Sequence, residues 1–160
     1  MPKLIVIRGN SGSGKSTAAC EVQKRFGRGC LRIAQDTVRR DMLLGKDAEA
    51  LPLLETLVRW AHENCAVAVL EGILSAKAYA PLFEVAAALY GEDLHAFYYD
   101  IPFEETLRRH GTRPQQTQFG EEAMRDWWLE KDYAPILHET PITQEISLKD
   151  AVEMIVQSAR

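Results

Sequence analysis

A glycine-rich turn lies near the start of this 160-residue chain, between a short apolar run and a helix-prone segment. A strand, a tight turn and a helix in this order predict the first crossover unit of an α/β fold. The turn has the spacing G-x-x-x-x-G-K-[ST], a pattern that wraps backbone amides around phosphate oxygens. The predicted phosphate-binding residues are Gly9, Asn10, Ser11, Gly12, Ser13, Gly14, Lys15, Ser16 and Thr17.

This loop, the P-loop, predicts both a nucleotide and a metal ion. Its glycines permit positive φ angles, and the N-terminus of the following helix adds the positive end of its dipole. Lys15 is predicted to reach the β- and γ-phosphates of ATP, and Ser16 to offer its hydroxyl to Mg²⁺. A dinucleotide-binding turn is the alternative, but Gly12-Ser13-Gly14 lacks the third small residue of that motif. Only Asp36, placed where a ribose-binding carboxylate would lie, fits the alternative.

Length and charge limit the class of protein. The chain is long enough for one domain, residues 1–160, with its own core. A net charge of -4 argues against an extended grip on duplex nucleic acid. Three cysteines without metal-type spacing, and no apolar stretch long enough for a signal peptide or membrane span, predict reduced thiols in a cytoplasmic protein.

Short β-prone runs alternate with helical stretches, which predicts a parallel sheet flanked by helices. The predicted strands are residues 4–7, 31–34, 67–70, 96–99 and 142–146. The predicted helices are residues 15–26, 38–44, 48–64, 76–90, 103–110, 121–130 and 148–158, the last capped by Ser147.

Polar residues at the ends of predicted strands are candidates for chemistry, because open parallel sheets bind ligands there. Asp36 and Arg39 form a D-x-x-R pair after the second strand. Asp36 is predicted to accept the proton of an acceptor hydroxyl, and Arg39 to hold the acceptor. Helix capping is the alternative role for Asp36. Glu71 ends the third predicted strand, where an acid binds Mg²⁺ or touches the acceptor; a strand-end acid with no ligand is its alternative.

Two later segments contain further candidate site residues. The basic run of residues 108–114 predicts a lid over about residues 109–120, in which Arg109 and Arg113 close over phosphates. A solvated basic helix end is the alternative. Trp127 and Trp128 could stack on a substrate ring, but we expect them to be core residues. The four histidines form no ligand-spaced pair, and we expect no metal role for them.

Four stretches together resemble the small P-loop kinases: residues 7–17, 35–42, 70–74 and 98–110. The pattern is similar to the kinase domain of phage polynucleotide kinase and, more distantly, to chloramphenicol phosphotransferase and the zeta-toxin kinases. The resemblance covers roughly residues 3–128. It implies a five-stranded parallel sheet and ATP-dependent phosphorylation of a hydroxyl group.

The resemblance also implies roles for single residues. It matches Asp36 to the general base, Arg39 to the acceptor-phosphate arginine, and Arg109 and Arg113 to two lid arginines. Glu71 departs from the aspartate of polynucleotide kinase. The predicted function is transfer of the γ-phosphoryl group of ATP to a hydroxyl of a small molecule or of a nucleic-acid 5′ end. A nucleotide-dependent switch or binding module without an acceptor is the alternative.

Overall fold

Five parallel strands form one sheet in the computed structural model, which describes residues 1–111 and 119–160. The strands are β1 (Lys3–Gly9), β2 (Leu31–Ala34), β3 (Val67–Gly72), β4 (Leu94–Tyr99) and β5 (Thr140–Ile142). Their order across the sheet is β2-β3-β1-β4-β5, so β1 is central. The predicted parallel sheet flanked by helices is confirmed.

Helices cover both faces of the sheet. The α-helices of the described residues are α1 (Lys15–Phe26), α2 (Asp47–Asn64), α3 (Ala80–Tyr90), α4 (Phe103–His110), α5 (Glu121–Trp127) and α6 (Leu148–Ser158). A π-helix spans Thr37–Met42, and short 3₁₀ helices span Gly91–Asp93 and Pro135–Leu137. Within these described parts, no helix is both long and apolar enough to cross a bilayer.

Alternate residues of β1 enter two separate hydrophobic cores. Leu4 and Val6 pack in a core with residues of α2 and α3. Ile5 and Ile7 pack on the opposite face with residues of α1 and α6. Burial of both faces explains why the predicted strands 4–7 and 67–70 are wholly apolar, as is usual for parallel sheets.

Both predicted boundaries of the last strand are wrong, because β5 spans Thr140–Ile142 and not residues 142–146. The last strand ends at Ile142 because its neighbour β4 ends at the paired residue Tyr99, so residues 143–146 have no strand beside them. They form a turn, closed by a hydrogen bond from Ile146 N to Thr143 O. The predicted cap of α6 is confirmed, since Ser147 Oγ accepts a hydrogen bond from the backbone of Asp150.

Three predicted helices also differ from the structure. Helix α3 begins at Ala80, with Pro81 in its first turn, because the chain before it forms a turn that the Ser75 hydroxyl caps. Helix α5 ends at Trp127, because the backbone of Leu129 is hydrogen-bonded to the side chain of Asn10. The helix predicted over 38–44 is a π-helix, in which Leu43 N bonds to Val38 O.

Candidate active site

The predicted site residues meet at the carboxyl edge of the sheet. The P-loop leaves β1 at Gly9 and leads into α1. Strand β3 ends beside it with Glu71 and Gly72, and β4 ends on the other side with Tyr99. This edge is where open parallel sheets bind ligands.

Lys15 forms the positive centre of the P-loop. It follows Gly14, whose φ of 103° is left-handed, and it opens α1. Its side chain is buried, and Nζ donates a hydrogen bond to Asn10 O at 3.2 Å. A buried ammonium group at the N-terminus of a helix fits the phosphates of a nucleotide.

Gly12 is where the P-loop packs against the helices that flank the predicted lid. Its φ is +82°, and a Cβ there would lie 2.7 Å from Thr106 O in α4 and 2.9 Å from Met124 Cε in α5. Only glycine fits this position. Asn10 fastens the loop on another side, because its amide group both donates to and accepts from the backbone of Leu129, at 2.7 and 2.8 Å.

Ser16 and Glu71 bring two oxygen ligands together. Ser16 Oγ donates to Glu71 Oε2 at 3.1 Å, and Glu71 is only 4% exposed. Burial raises the pKa of Glu71, whereas the Lys15 charge and the Ser16 hydroxyl lower it. The charge of Asp36 raises it further. A hydroxyl beside a carboxylate is a donor set that Mg²⁺ prefers, so these residues fit the predicted ion.

Arg109 lies against the P-loop from the last turn of α4. Its Nη1 donates to the carbonyl of Ser13, and its Nε donates to Glu105 Oε1 at 3.0 Å. Glu105 also accepts hydrogen bonds from Arg108. The two guanidinium groups lower the pKa of Glu105 to about 2, and Arg108 has the larger effect. Arg109 is therefore held at the loop by a carboxylate that stays ionised.

A cavity of about 450 Å³ opens beside this arrangement, bounded by Gly14 and Thr17 of the P-loop, Arg109, and residues 144–148. Its volume is typical of small-molecule sites. Arg113, the second arginine of the predicted lid, lies outside the described residues, as do all of 112–118.

A second cavity, of about 260 Å³, lies at the end of β2; we call it the Asp36 cavity. Its lining residues are Gln35, Asp36, Arg39, Arg40, Asp47, Ile73, Ser75, Trp127 and Leu129. The side chain of Asp36 is 65% exposed and makes no capping hydrogen bond, so the capping interpretation is wrong. Arg39 Nη2 and Arg40 Nε lie 3.5 and 3.8 Å from Asp36 Oδ1.

Sequence reasoning missed a second carboxylate in the Asp36 cavity. Asp47 Oδ1 accepts hydrogen bonds from Tyr79 Oη at 2.6 Å and from Gln35 Nε2 at 3.3 Å. Gln35 and Tyr79 are both buried, and Gln35 Nε2 also donates to Tyr79 Oη. In the sequence, Asp47 is an ordinary acid at the start of a helix, and no pattern marks it.

The tryptophan pair corrects another expectation. Neither ring is a core residue, since both are only half-buried. Trp127 lines the Asp36 cavity, and the guanidinium of Arg40 lies over its ring at 5.3 Å. Trp128 points elsewhere, packing edge-on against Phe103 with ring centroids 5.2 Å apart. Helix α5 is too short to bury this pair, because it ends at Trp127.

Arg8, the residue before the P-loop, holds three loops at the same edge. It is fully buried, donates twice to Leu74 O, and forms ion pairs with Asp132 at 2.9 Å and Glu139 at 2.8 Å. Asp132 in turn accepts from Ala76 N. The loop after β3 and the chain after α5, which both line the Asp36 cavity, are therefore fastened to β1.

Solved structures with this architecture align along almost the whole chain. A gluconokinase from Sinorhizobium meliloti matches with a TM-score of 0.70 at 17% identity, covering 99% of this chain and 91% of that one. An APS kinase from Mycobacterium tuberculosis, solved with AMPPNP and APS, matches with a TM-score of 0.68 at 20% identity, covering 98% and 96%. The chain has the P-loop NTPase fold.

A shikimate kinase from Acinetobacter baumannii, solved with shikimate, shares this fold with a TM-score of 0.60 at 19% identity, covering 98% of this chain and 92% of that one. No family model matches the chain, and no curated protein sequence matches it. At these identities the structures are alike in fold, and the chemistry of this chain has to be argued from its own residues.

Proposed function

We propose that the protein is an ATP-dependent kinase that phosphorylates a hydroxyl group of a small molecule. The observation that carries this proposal is a pair of cavities, one beside Arg109 and one around Asp36, that share no lining residue in the part of the chain that the structure describes. Strands β1 and β3 lie between β2, at whose end the Asp36 cavity opens, and β4, whose last residue Tyr99 lines the first cavity. A nucleotide-dependent switch would need only the first cavity.

The P-loop residues would bind the nucleotide. Backbone amides and Lys15 would hold the phosphates, Arg109 would contribute positive charge from α4, and Ser16 with Glu71 would hold Mg²⁺. When bound, Mg²⁺ neutralises charge on the transferring phosphoryl group. The solved APS kinase with AMPPNP has the same fold, which supports a nucleotide at this loop.

Asp36 would act on the acceptor. Its carboxylate is exposed to the second cavity and close enough to Glu71 for its charge to raise the pKa of that residue. It would orient the acceptor hydroxyl and take its proton as the oxygen attacks phosphorus. Arg39 holds Asp36 in place at 3.5 Å. Proteins with this fold that are named as kinases of gluconate and shikimate support a small acceptor.

Release of ADP tests the proposal. The purified protein is mixed with ATP, Mg²⁺ and a panel of hydroxyl compounds, and ADP is measured with and without each compound. We expect at least one compound to raise ADP release and to appear as its phosphate ester. Lys15→Ala should abolish this reaction, because the phosphates lose their buried cation.

Asp36→Asn separates binding from chemistry. The amide keeps the size of the side chain but cannot take a proton, so acceptor phosphorylation should fall by about 10²–10⁴-fold. Affinity for ATP, measured by titration calorimetry, should stay close to wild type, because the P-loop is unchanged. Full phosphorylation by Asp36→Asn would remove the base from the proposal, and ATP binding without any acceptor-stimulated ADP release would favour the switch.

A further inference from the structure

Among residues 1–111 and 119–160, the side chains that line the Asp36 cavity have no net formal charge. Two carboxylates, Asp36 and Asp47, and two guanidinium groups, Arg39 and Arg40, line it. An anionic acceptor would meet both carboxylates, and a cationic acceptor would meet both arginines. An uncharged acceptor carries neither penalty.

Arg39 lies between the two carboxylates. Its Nη2 is 3.5 Å from Asp36 Oδ1, and its Nε is 3.9 Å from Asp47 Oδ1. The Nε atom is buried and has no hydrogen-bond acceptor within reach among residues 1–111 and 119–160. The Arg39 side chain as a whole is 26% exposed, so the other N–H groups of its guanidinium can donate to an oxygen atom of a ligand.

Asp47 is fixed beside that donor. Tyr79 and Gln35 both bond to its Oδ1, yet its side chain remains 49% exposed at the cavity. A hydroxyl group is the simplest partner for this pair, because it can accept from the exposed part of the Arg39 guanidinium and donate to Asp47 at the same time. A phosphate or carboxylate oxygen could not donate, and an ammonium group could not accept.

The opposite side of the cavity is apolar. Trp127 presents its ring there, together with Ile73 and Leu129. Aromatic rings provide flat apolar surface against which the C–H groups of a small ring can pack. The volume of about 260 Å³ is near the lower end of small-molecule sites, which suits a compact molecule.

We propose that the acceptor is a compact, uncharged polyol of the sugar or cyclitol class. This proposal rests on the proposed kinase function. The reacting hydroxyl lies at Asp36, a second hydroxyl bridges the Arg39 guanidinium and Asp47, and the carbon ring packs against Trp127. The reacting oxygen bonds to the γ-phosphorus, the bond from that phosphorus to the β,γ-bridging oxygen breaks, ADP leaves with the electron pair, and the proton goes to Asp36.

An acceptor series on the wild-type protein is the first test. Neutral hexoses and inositols are compared with hexonic acids, hexose phosphates, nucleosides and 5′-hydroxyl oligonucleotides, with kcat/KM measured by ADP release. We expect a neutral polyol to exceed every charged or nucleic-acid acceptor at least tenfold. Among deoxy analogues of that polyol, one that keeps the phosphorylated hydroxyl should lose about ten- to a hundredfold, since it leaves a hydrogen bond to a charged group unmade.

Single substitutions test whether Asp47 and Trp127 determine the preference for a neutral polyol. Asp47→Asn and Trp127→Leu should each raise KM for the polyol at least tenfold while leaving KM for ATP and the thermal midpoint near wild type. The control is Trp60→Leu, because Trp60 is 51% exposed on α2, away from both cavities. An unchanged KM in Asp47→Asn, together with a flat deoxy series, would overturn the proposal.

The outcomes separate this proposal from the kinase proposal. Lys15-dependent transfer to nucleosides, oligonucleotides or anionic acceptors in preference to neutral polyols overturns the polyol and leaves the kinase standing. Transfer to no acceptor at all overturns both. Preference for a neutral polyol, sensitive to Asp47 and Trp127, supports both.

Discussion

Glu71 is a buried carboxylate at the end of β3, in a position where an apolar side chain would stabilise the sheet more. Burial raises its pKa, and the neighbouring Lys15 charge and Ser16 hydroxyl compensate only in part. A charged group that weakens its own fold in this way is typical of a functional site. Its hydrogen bond with Ser16 places the carboxylate beside the P-loop, where it could serve as an oxygen ligand for Mg²⁺.

Glu71→Gln should therefore stabilise the nucleotide-free protein. A carboxyl whose pKa is raised on folding contributes stability at low pH that is lost as pH rises through the raised value. The substituted amide does not titrate, so the variant should exceed wild type in free energy of unfolding at pH 7–8 and converge with it near pH 4. Urea unfolding across this range measures the effect, and Glu63→Gln, at an exposed site on α2, is the control.

The same variant should bind ATP·Mg²⁺ more weakly, because a neutral amide is a poorer ligand for Mg²⁺. ATP titrations with and without Mg²⁺ measure this. If Glu71→Gln and wild type bind ATP equally well both with and without Mg²⁺, or if the variant is less stable than wild type at pH 8, the assigned role of Glu71 is contradicted.

Sequence reasoning could find those site residues that follow a strand directly. Asp36 and Glu71 were predicted because strand ends converge at one edge of a parallel sheet. Asp47 could not be found, and Trp127 was noted as an aromatic but assigned to the core, since the place of both in the Asp36 cavity depends on contacts between distant segments. Asp47 is fixed by Gln35 and Tyr79, and Trp127 reaches the cavity only because α5 ends there.

Among elements, α4 presents Arg109 to the P-loop. The helix begins after Pro102, and Glu105 fixes Arg109 one turn further on. Arg109→Met should lower kcat for acceptor phosphorylation by about a hundredfold or more while changing KM for ATP little, if the guanidinium acts mainly in the transition state. Steady-state kinetics measure this. Arg28→Met, at an exposed site after α1, is the control, and an unchanged kcat would return Arg109 to a structural role.

The carboxyl end of β3 does not tolerate a side chain at Gly72. A Cβ on Gly72 would lie 2.4 Å from Gln35 Oε1 and 2.6 Å from Gln35 Cβ. Gly72→Ala should therefore destabilise the protein by about 2–4 kcal/mol and disturb the Gln35 contact that fixes Asp47. Gly29→Ala is a matched control, since Gly29 also has positive φ but an open surrounding.

Thermal unfolding measures both glycine variants. We expect Gly29→Ala to lose only the backbone term, about 1 kcal/mol. An equal loss of unfolding free energy in the two variants would show that Gln35 can shift away from the new Cβ without further destabilising the protein.

Helix and strand positions were predicted well where periodicity and end signals coincide, as in α1 and α4. They were wrong where tertiary contacts decide the end of an element. The side chain of Asn10 stops the chain after α5 from continuing as a helix, and the length of β4 limits β5. Neither cause is local in sequence.

At the scale of the whole molecule, the alternation of strands and helices predicted a parallel sheet, and the P-loop placed β1 at its functional edge. The order β2-β3-β1-β4-β5 could not be read from periodicity, because the alternation of side chains along a strand does not show which strand lies beside it. The buried network of Arg8 was also beyond prediction. A lone arginine before a P-loop gives no sign that its partners lie 124 and 131 residues further on.

Arg8→Met should destabilise the protein by about 3–5 kcal/mol, since it leaves Glu139 buried without its cation. Burial raises the pKa of Glu139 and Arg8 lowers it, so loss of Arg8 raises that pKa further. The stability loss should therefore be larger at pH 8 than at pH 5, where protonation removes the unpaired charge.

Urea unfolding at both pH values tests this, and the double variant Arg8→Met/Glu139→Gln should recover part of the loss at pH 8. Lys3→Met, on the same strand, removes only the partly exposed pair with Asp93 and should cost less than about 1 kcal/mol. A pH-independent loss in Arg8→Met would show that the packing of the side chain, and not its charge, matters.

The Arg8 network also limits how this protein can be re-engineered or can diverge. The loop after β3 and the chain after α5 are far apart in sequence, yet both are bonded to one buried guanidinium. Exchange of the chain after α5 alone, to graft a new acceptor preference, would remove the carboxylates that pair with the buried guanidinium, and exchange of the loop after β3 alone would disturb its bonds to Leu74 O. The two loops have to be inherited or transplanted as a set, together with Arg8.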